Sequence, residues 1–387
     1  MRLLVRLFKT LKMFMTSLLL NFKYRHKNID SVIKDCILYE LFITNNLGGG
    51  TRTFQNNYLA GKKNVLILYN KSYGKDFCFI LENCDTKDMC IIPKKILRKI
   101  IQHNQIIKIS VNTLITYKCF EWMLNELYLR GKSTPITYFV HDFYCICPIY
   151  TLIKKDAFCQ IDCKQSDICM NKINPFLLSC NSIKDWRNSW NKFFQVCTEI
   201  RCFSNSSREL VLSVYPSIPM NRVTIVPHDM SWCSLKPIDR VDELPLHIGF
   251  IGDVHTIPKG RKVVQLLLSK LEKEIPITFI GNSWFQLPSI RKNICYLGAY
   301  RPSELQMLVE KQTISVVVFP SIWSETFSYA VSEHIKMGLT ILCFDIGAQA
   351  EKVKKYNKGY VCSSVDEMVS ILHKMKERKD VFRRNNP

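Results

Sequence analysis

From about residue 35 onward, short apolar runs alternate with longer stretches in which apolar residues recur every three to four positions. That alternation predicts βαβ units and parallel sheets. In the first half, ILYELFIT (37–44), NVLILYN (64–70), QIIKISVN (105–112), PITYFVHD (135–142), EIRCFS (199–204) and RVTIVPHD (222–229) read as strands. NNLGGGT (45–51) reads as a glycine-rich turn with a helix opening near Thr51. TLITYKCFEWMLNELYLRG (113–131) and SSRELVLSVY (206–215) carry helical spacing. Residues 145–192 are irregular and rich in Cys, Asn and Trp, and residues 230–244 read as a linker.

The second half is cleaner. LHIGFIGDV (246–254), PITFIGN (276–282), ICYLGAY (294–300), SVVVFPS (315–321) and TILCFDIG (340–347) read as strands, and GRKVVQLLLSKLEKE (260–274) as an amphipathic helix. Strands this continuously apolar belong to a parallel sheet covered on both faces. A chain of 387 residues suits two domains. The expected fold class is α/β, with two Rossmann-like, doubly wound domains facing a cleft. The expected boundaries are a segment at 1–34, a first domain at 35–235 and a second at 236–387. Ligands in such sheets bind beyond the carboxyl ends of the strands.

The N-terminal segment changes this picture. MRLLVRLFKTLKMFMTSLLLNFKYRHK has no uncharged run long enough to span a bilayer. Basic residues also follow its apolar part, unlike a secretory signal. Wound as a helix, it places Arg2, Arg6, Lys9, Lys12 and Lys23 on one face and Leu4, Leu7, Leu11, Phe14, Leu18 and Phe22 on the other. This predicts a basic amphipathic helix on an anionic membrane surface; an ordinary packed helix is the alternative. Lys and Arg total 54 against 33 Asp and Glu, a formal +21, which also calls for an anionic partner. No zinc-finger pattern, RNP-like motif or dense basic block points to nucleic acid.

The 17 cysteines sit in a large α/β chain and read mostly as reduced, buried thiols, which places the protein in the cytoplasm. Cys147, Cys159, Cys163 and Cys169 invite a structural zinc reading, but without paired C-x2-C knuckles. Otherwise no metal is implied.

The chemistry concentrates in PSIWSETFSYAVSEHIKMGLTILCFD (320–345), which follows a strand and opens a helix. Thr326, Phe327 and Ser328 fall at the helix start, where free N–H groups and the helix dipole favour an anion such as a diphosphate. Glu325, on the loop, suits sugar hydroxyls, and Glu333, separated from it by seven residues, suits ribose hydroxyls. An exposed helix start with one acidic cap is the plainer alternative. Gly48, Gly49 and Gly50 allow a backbone to approach a ligand closely or only to turn. His141 ends a strand at the expected cleft; a packed histidine bonded to Asp142 is its alternative.

The 320–345 segment resembles the donor-binding motif of family 4 glycosyltransferases, retaining enzymes of the GT-B fold similar to those that build bacterial cell-surface polysaccharide and lipopolysaccharide. NNLGGGTR (45–52), VHDFYCICPIYTL (140–152), FSNSSRELVLSVYP (203–216), VPHD (226–229) and IGFIGDVHTIPKG (248–260) extend the resemblance along most of the chain. It implies transfer of a hexosyl unit from a nucleotide diphosphate sugar to a glycan or lipid-linked acceptor, at the inner face of the membrane and with no cofactor. It implies that Glu333 binds ribose and Glu325 the donor sugar. Ser328 and Tyr329 would offer amides to the diphosphate, beside Phe327, Gly49 and Gly50. Lys259 would balance phosphate charge, and His141 would meet the sugar or its leaving group. One departure stands out: the family has an arginine shortly before the lysine, where this chain has Asp253 and His255. Arg261 lies just after. A nucleotide-sugar epimerase, a phosphorylase and an inactive sugar-binding homologue remain as alternatives on the same fold.

Overall fold

The computed structural model describes residues 29–45, 47–70, 78–117, 119–154, 157–158, 182–283 and 293–385. The basic segment at 1–28 and Cys159, Cys163 and Cys169 therefore lie outside the described residues. The chain forms two compact units. The first holds the described residues through Tyr150, those from Ser182 to Cys202, and Arg208–Val226; the second holds Phe203–Ser207, everything from Pro227, and a short hairpin near 151–158.

The first unit is built on an eight-stranded sheet. Its strands are β1 (Tyr39–Thr44), β2 (Val65–Asn70), β3 (Cys78–Asn83), β4 (Met89–Pro93), β5 (Ile106–Val111), β6 (Ile136–Phe139) and, after the small hairpin β7 (Ile153–Lys154) and β8 (Ala157–Phe158) of the second unit, β9 (Glu199–Cys202) and β10 (Val223–Ile225). The order is β10-β9-β6-β5-β1-β2-β3-β4. All neighbours are parallel except β2–β3 and β3–β4. The winding direction reverses between β1 and β5, the switch point of a doubly wound sheet. The Gly-rich turn leaves β1 there, and Gly49 sits at φ 79° just before the helix Gly50–Leu59. A Cβ on Gly49 would meet nothing within 4 Å, so the glycine serves the turn and leaves open space beside it.

Two local expectations shift. The helix expected over 113–131 begins only at Phe120. Tyr117 is buried, and its hydroxyl donates to the Thr44 and Leu68 carbonyls at 2.8 and 3.0 Å, tying residues 113–117 to the ends of β1 and β2. The region expected to be irregular contains the helix Ile183–Phe194, capped by Ser182, whose hydroxyl accepts the Asp185 N–H. Its Trp186, Trp190, Phe193 and Phe194 are fully buried, and the Trp190 ring lies 5.3 Å from that of Tyr138 on β6. Packed aromatic area of this kind is a dominant stabilising term.

The second unit carries β11 (Ile248–Ile251), β12 (Ile277–Ile280), β13 (Ile294–Gly298), β14 (Val316–Phe319), β15 (Thr340–Phe344) and β16 (Gly359–Cys362). These form a wholly parallel sheet in the order β13-β12-β11-β14-β15-β16. Period-two alternation sorts its side chains. Ile248, Phe250, Val316 and Val318 pack with Val264 and Leu267 of the helix Arg261–Lys270. Ile251 and Val317 pack with Val309, Met337 and Leu339 instead. The 230–244 stretch is irregular as expected, yet it is bound to this unit: Lys336 donates to the Met230 and Cys233 carbonyls, and Val241 joins the core. Among the described residues, no helix is long and apolar enough to cross a membrane.

Trp190→Ala should destabilise the protein by about 3–5 kcal/mol in urea unfolding, while Trp190→Phe should cost well under half of that. Equal effects would show that the indole does not fill the core at this helix.

Candidate active site

In the second sheet the winding reverses between β11 and β14. The connections leaving those two strands carry the residues singled out in the sequence: 252–260 holds Lys259, and 320–328 holds Glu325 and Ser328. The two loops are bonded to each other. The Pro258 carbonyl accepts the N–H groups of Ile322 and Trp323 at 3.0 and 3.2 Å and the Ser321 hydroxyl at 3.2 Å. Gly260 sits at φ 90°, and a Cβ there would fall 2.1 Å from the Pro320 carbonyl oxygen, so only glycine allows this approach.

Lys259 and Glu325 meet directly. The Lys259 Nζ lies 2.5 Å from Glu325 Oε1, and 4.9 Å from the centre of the Trp323 ring. The sequence reading assigned one to phosphate and the other to sugar; here each holds the other in place. Asp253 does not reach this pair. Its carboxylate accepts the His255 N–H at 3.1 Å and lies 2.5 Å from His255 Nδ1. Arg261 is the first residue of its helix and bonds through its N–H to the Thr256 carbonyl.

The helix Tyr329–Lys336 opens at Ser328, as expected, with Ser328 in the left-handed region at φ 62°. Ser328 is buried, and its hydroxyl has no hydrogen-bond partner in the structure. Phe327 is buried, with the His228 ring stacked 4.4 Å away, and His228 also meets Phe203 at 4.0 Å. The Phe327 side chain is thus scaffold, and VPHD enters the site through its histidine ring. Glu333 lies on the same helix. Burial pushes its carboxyl up to about 7, and its charge helps to raise Tyr300 to about 12 behind the larger effect of burial.

The next helix, Gly347–Lys354, carries residues that sequence reasoning missed. Gln349 donates to the Trp323 carbonyl at 2.7 Å and accepts the Glu325 N–H at 3.1 Å, while the Ala348 N–H reaches the Glu325 carbonyl at 2.9 Å. Lys352 lies 3.4 Å above the Phe327 ring centre and donates to the Ser328 carbonyl at 3.1 Å and the Ser332 hydroxyl at 2.5 Å. Burial pulls its ammonium down to about 7, against the opposing pull of Glu325 and Glu351. The available signal was a lysine three residues after Gln349 and four after Ala348, on the buried face of a short helix.

In the first unit, His141 follows β6, buried, with the Phe54 ring 4.7 Å away; burial holds its imidazole down at about 3, so it is neutral at physiological pH. Asp142 accepts the Tyr144 N–H at 2.8 Å and the Thr113 hydroxyl at 3.4 Å, and burial lifts it to about 6. Cys147 is half-buried and in no disulfide, and the described residues hold no cluster of three or more potential metal ligands.

Residues 261–380 match the family model described as glycosyl transferases group 1. A search of curated protein sequences finds no match. Among solved structures, Anabaena Alr3699/HepE in complex with UDP and glucose is similar over 88% of this chain and 91% of its own, with 12% identity and a TM-score of 0.55. The lipopolysaccharide outer core galactosyltransferase WaaB, apo form, covers 89% and 93%, with 12% identity and a TM-score of 0.55. A glycosyltransferase from Rickettsia africae ESF-5 covers 90% and 93%, with 14% identity and a TM-score of 0.53. At these identities the likeness establishes the fold: two parallel-sheet domains of the GT-B type.

The raised Glu333 carboxyl has a consequence for stability. The native protein keeps this proton where the unfolded chain, with a carboxyl near 4.5, has released it. The resulting stabilisation is fully present below the unfolded value and lost as pH rises through about 7. Glu333→Gln, which mimics the protonated form, should therefore match the wild-type melting temperature near pH 4 and exceed it at about pH 8.5. A variant that melts below wild type at the higher pH would contradict the burial of this carboxyl.

Proposed function

We propose that the protein is a retaining glycosyltransferase that moves a hexosyl unit from a nucleotide diphosphate sugar to a glycan or lipid-linked acceptor in surface polysaccharide synthesis. The observation that carries this reading is the switch point of the second sheet. There a lysine–carboxylate pair, a helix start with a buried, unpartnered hydroxyl, and a half-buried carboxylate one turn deeper stand together. A helix start favours the diphosphate, and Glu333 can accept ribose hydroxyls. Lys259 holds Glu325 for the sugar and balances the phosphate charge that grows as the glycosidic bond to the leaving group breaks. UDP and glucose in Alr3699/HepE, and the galactosyltransferase activity in the name of WaaB, support the substrate class.

In this reading Ser328 and Tyr329 offer backbone N–H groups to the diphosphate and Phe327 braces them. Gly49 and Gly50 leave room for the donor, and neutral His141 offers a hydrogen bond to the sugar or leaving group. No metal or cofactor takes part. The protein works in the cytoplasm, and its basic N-terminal segment holds it to the inner membrane face. A second reading, an inactive sugar-binding homologue, is favoured by Asp253, a carboxylate paired with His255 where the family places a cation.

A thermal-shift panel of UDP-, GDP-, dTDP- and ADP-sugars tests the proposal, because a ligand bound only by the native state raises the melting temperature. One donor class should stabilise wild type and fail to stabilise Glu333→Ala. No shift from any donor would overturn the donor-site assignment. Release of free nucleotide from the bound donor then separates transferase from inactive homologue. Deleting residues 1–28 should abolish co-sedimentation with phosphatidylserine-containing vesicles while leaving donor binding intact. Undiminished co-sedimentation would remove the membrane-anchor role.

A further inference from the structure

The Ser328 carbonyl is held by three donors: Lys352 Nζ at 3.1 Å, the Ser332 hydroxyl at 3.2 Å and the Ser332 N–H at 3.4 Å. The Ser332 hydroxyl in turn accepts from Lys352 at 2.5 Å. A trans peptide is planar, so its C=O and N–H point in opposite directions. Fastening the Ser328 oxygen toward Lys352 therefore turns the Tyr329 N–H, the first of the helix, the other way. N–H groups at a helix start lack acceptors within the helix. The arrangement also holds Ser328 at φ 62°, a conformation that costs energy for any residue but glycine. The buried, unpartnered Ser328 hydroxyl marks the same end as built for a ligand.

We propose that Lys352 is a positioning residue of the diphosphate site: its ammonium fastens the Ser328 carbonyl inward, presents the Tyr329 N–H to the donor's phosphates and places a buried positive charge beneath them. The inference rests on the donor-site reading above and deepens it. Lys352 does not touch the sugar; it acts through the peptide it holds.

The charge on this lysine is conditional. Burial favours the neutral amine, whereas Glu325, on the preceding loop, and Glu351, on its own helix, favour the ammonium. The balance falls at about 7. A bound diphosphate adds negative charge and favours the ammonium further, so the contribution of Lys352 to donor binding is proton uptake near neutrality and a weakening as pH rises. Glu333 is also at about 7 and, in the donor-site reading, takes the ribose hydroxyls. Accepting hydroxyl groups favours its carboxylate, so its contribution is proton release, the opposite sign.

Titration calorimetry in buffers of different ionisation enthalpy reads both effects. UDP, GDP, dTDP and ADP are titrated first. For whichever binds, the diphosphate should take up more protons at about pH 7.5 than the matching nucleoside, and its affinity relative to that nucleoside should fall several-fold between about pH 6 and 8.5. Lys352→Met should weaken the diphosphate roughly tenfold or more at pH 6, leave the nucleoside unchanged and abolish the difference in proton uptake. Lys352→Gln, which keeps a donor without the charge, should lose the pH-dependent difference between diphosphate and nucleoside but less of the affinity. Equal proton counts for diphosphate and nucleoside in the wild type, read without any substitution, would overturn the inference. So would a Lys352→Met variant that loses both ligands equally. Failure of all four diphosphates to bind wild type would instead overturn the donor-site reading and the inference with it.

Discussion

The second unit depends on one topological constraint. β11 and β14 are neighbours, and the connections that leave their carboxyl ends turn to opposite faces of the sheet. The gap between those connections is where backbone from the two loops converges. The chain fills it with bonds centred on the Pro258 carbonyl and with a close approach of Gly260 to Pro320. Lys259 and Glu325 follow from that contact: Lys259 lies between Pro258 and Gly260, and Glu325 two residues beyond Trp323. Even Gly347 is drawn in: at φ 65°, a Cβ on it would fall 2.7 Å from the Glu325 nitrogen.

Charge is handled here by burial and pairing together. Lys259 and Glu325 satisfy each other; Glu333 and Lys352 are instead shifted by burial to about 7 from opposite directions. Two groups that titrate near neutrality, one on each of two adjacent helices, make the site's charge sensitive to what occupies it. His141 in the first unit is different: its neutrality is secured by burial far below neutral pH, so its imidazole keeps one donor and one acceptor.

Apolar periodicity made most of the architecture legible. The parallel strands of both units were read within a few residues at each end, because a strand covered on both faces is nearly all apolar. The antiparallel pair β3 and β4 was missed although each strand alternates buried and half-exposed residues, since both are short and separated by a tight turn in which Asn83 accepts the N–H groups of Asp85 and Thr86. The helix Ile183–Phe194 was hidden by its composition: four bulky aromatics among polar residues suggest irregular chain until their buried face is seen. At the site, Glu325, Ser328 and Glu333 stood out because they lie together around a helix start. Lys352 and Gln349 did not, because their roles arise from a different helix packing onto that loop.

The central strand of the second sheet also constrains how the protein is made. Ile248 of β11 pairs with Ile277 of β12, close behind it, and with Val316 of β14, far behind it. At about 5–20 residues per second, a ribosome needs roughly 3–14 s to deliver β14 after β11. During that interval an apolar strand, IGFI, has one open edge and no cover for it. Synthesis thus passes through a window in which the second unit is a half-sheet with an apolar edge exposed, and the arrival of β14, which brings the 320–328 loop with it, closes that edge and begins the loop contact in the same step.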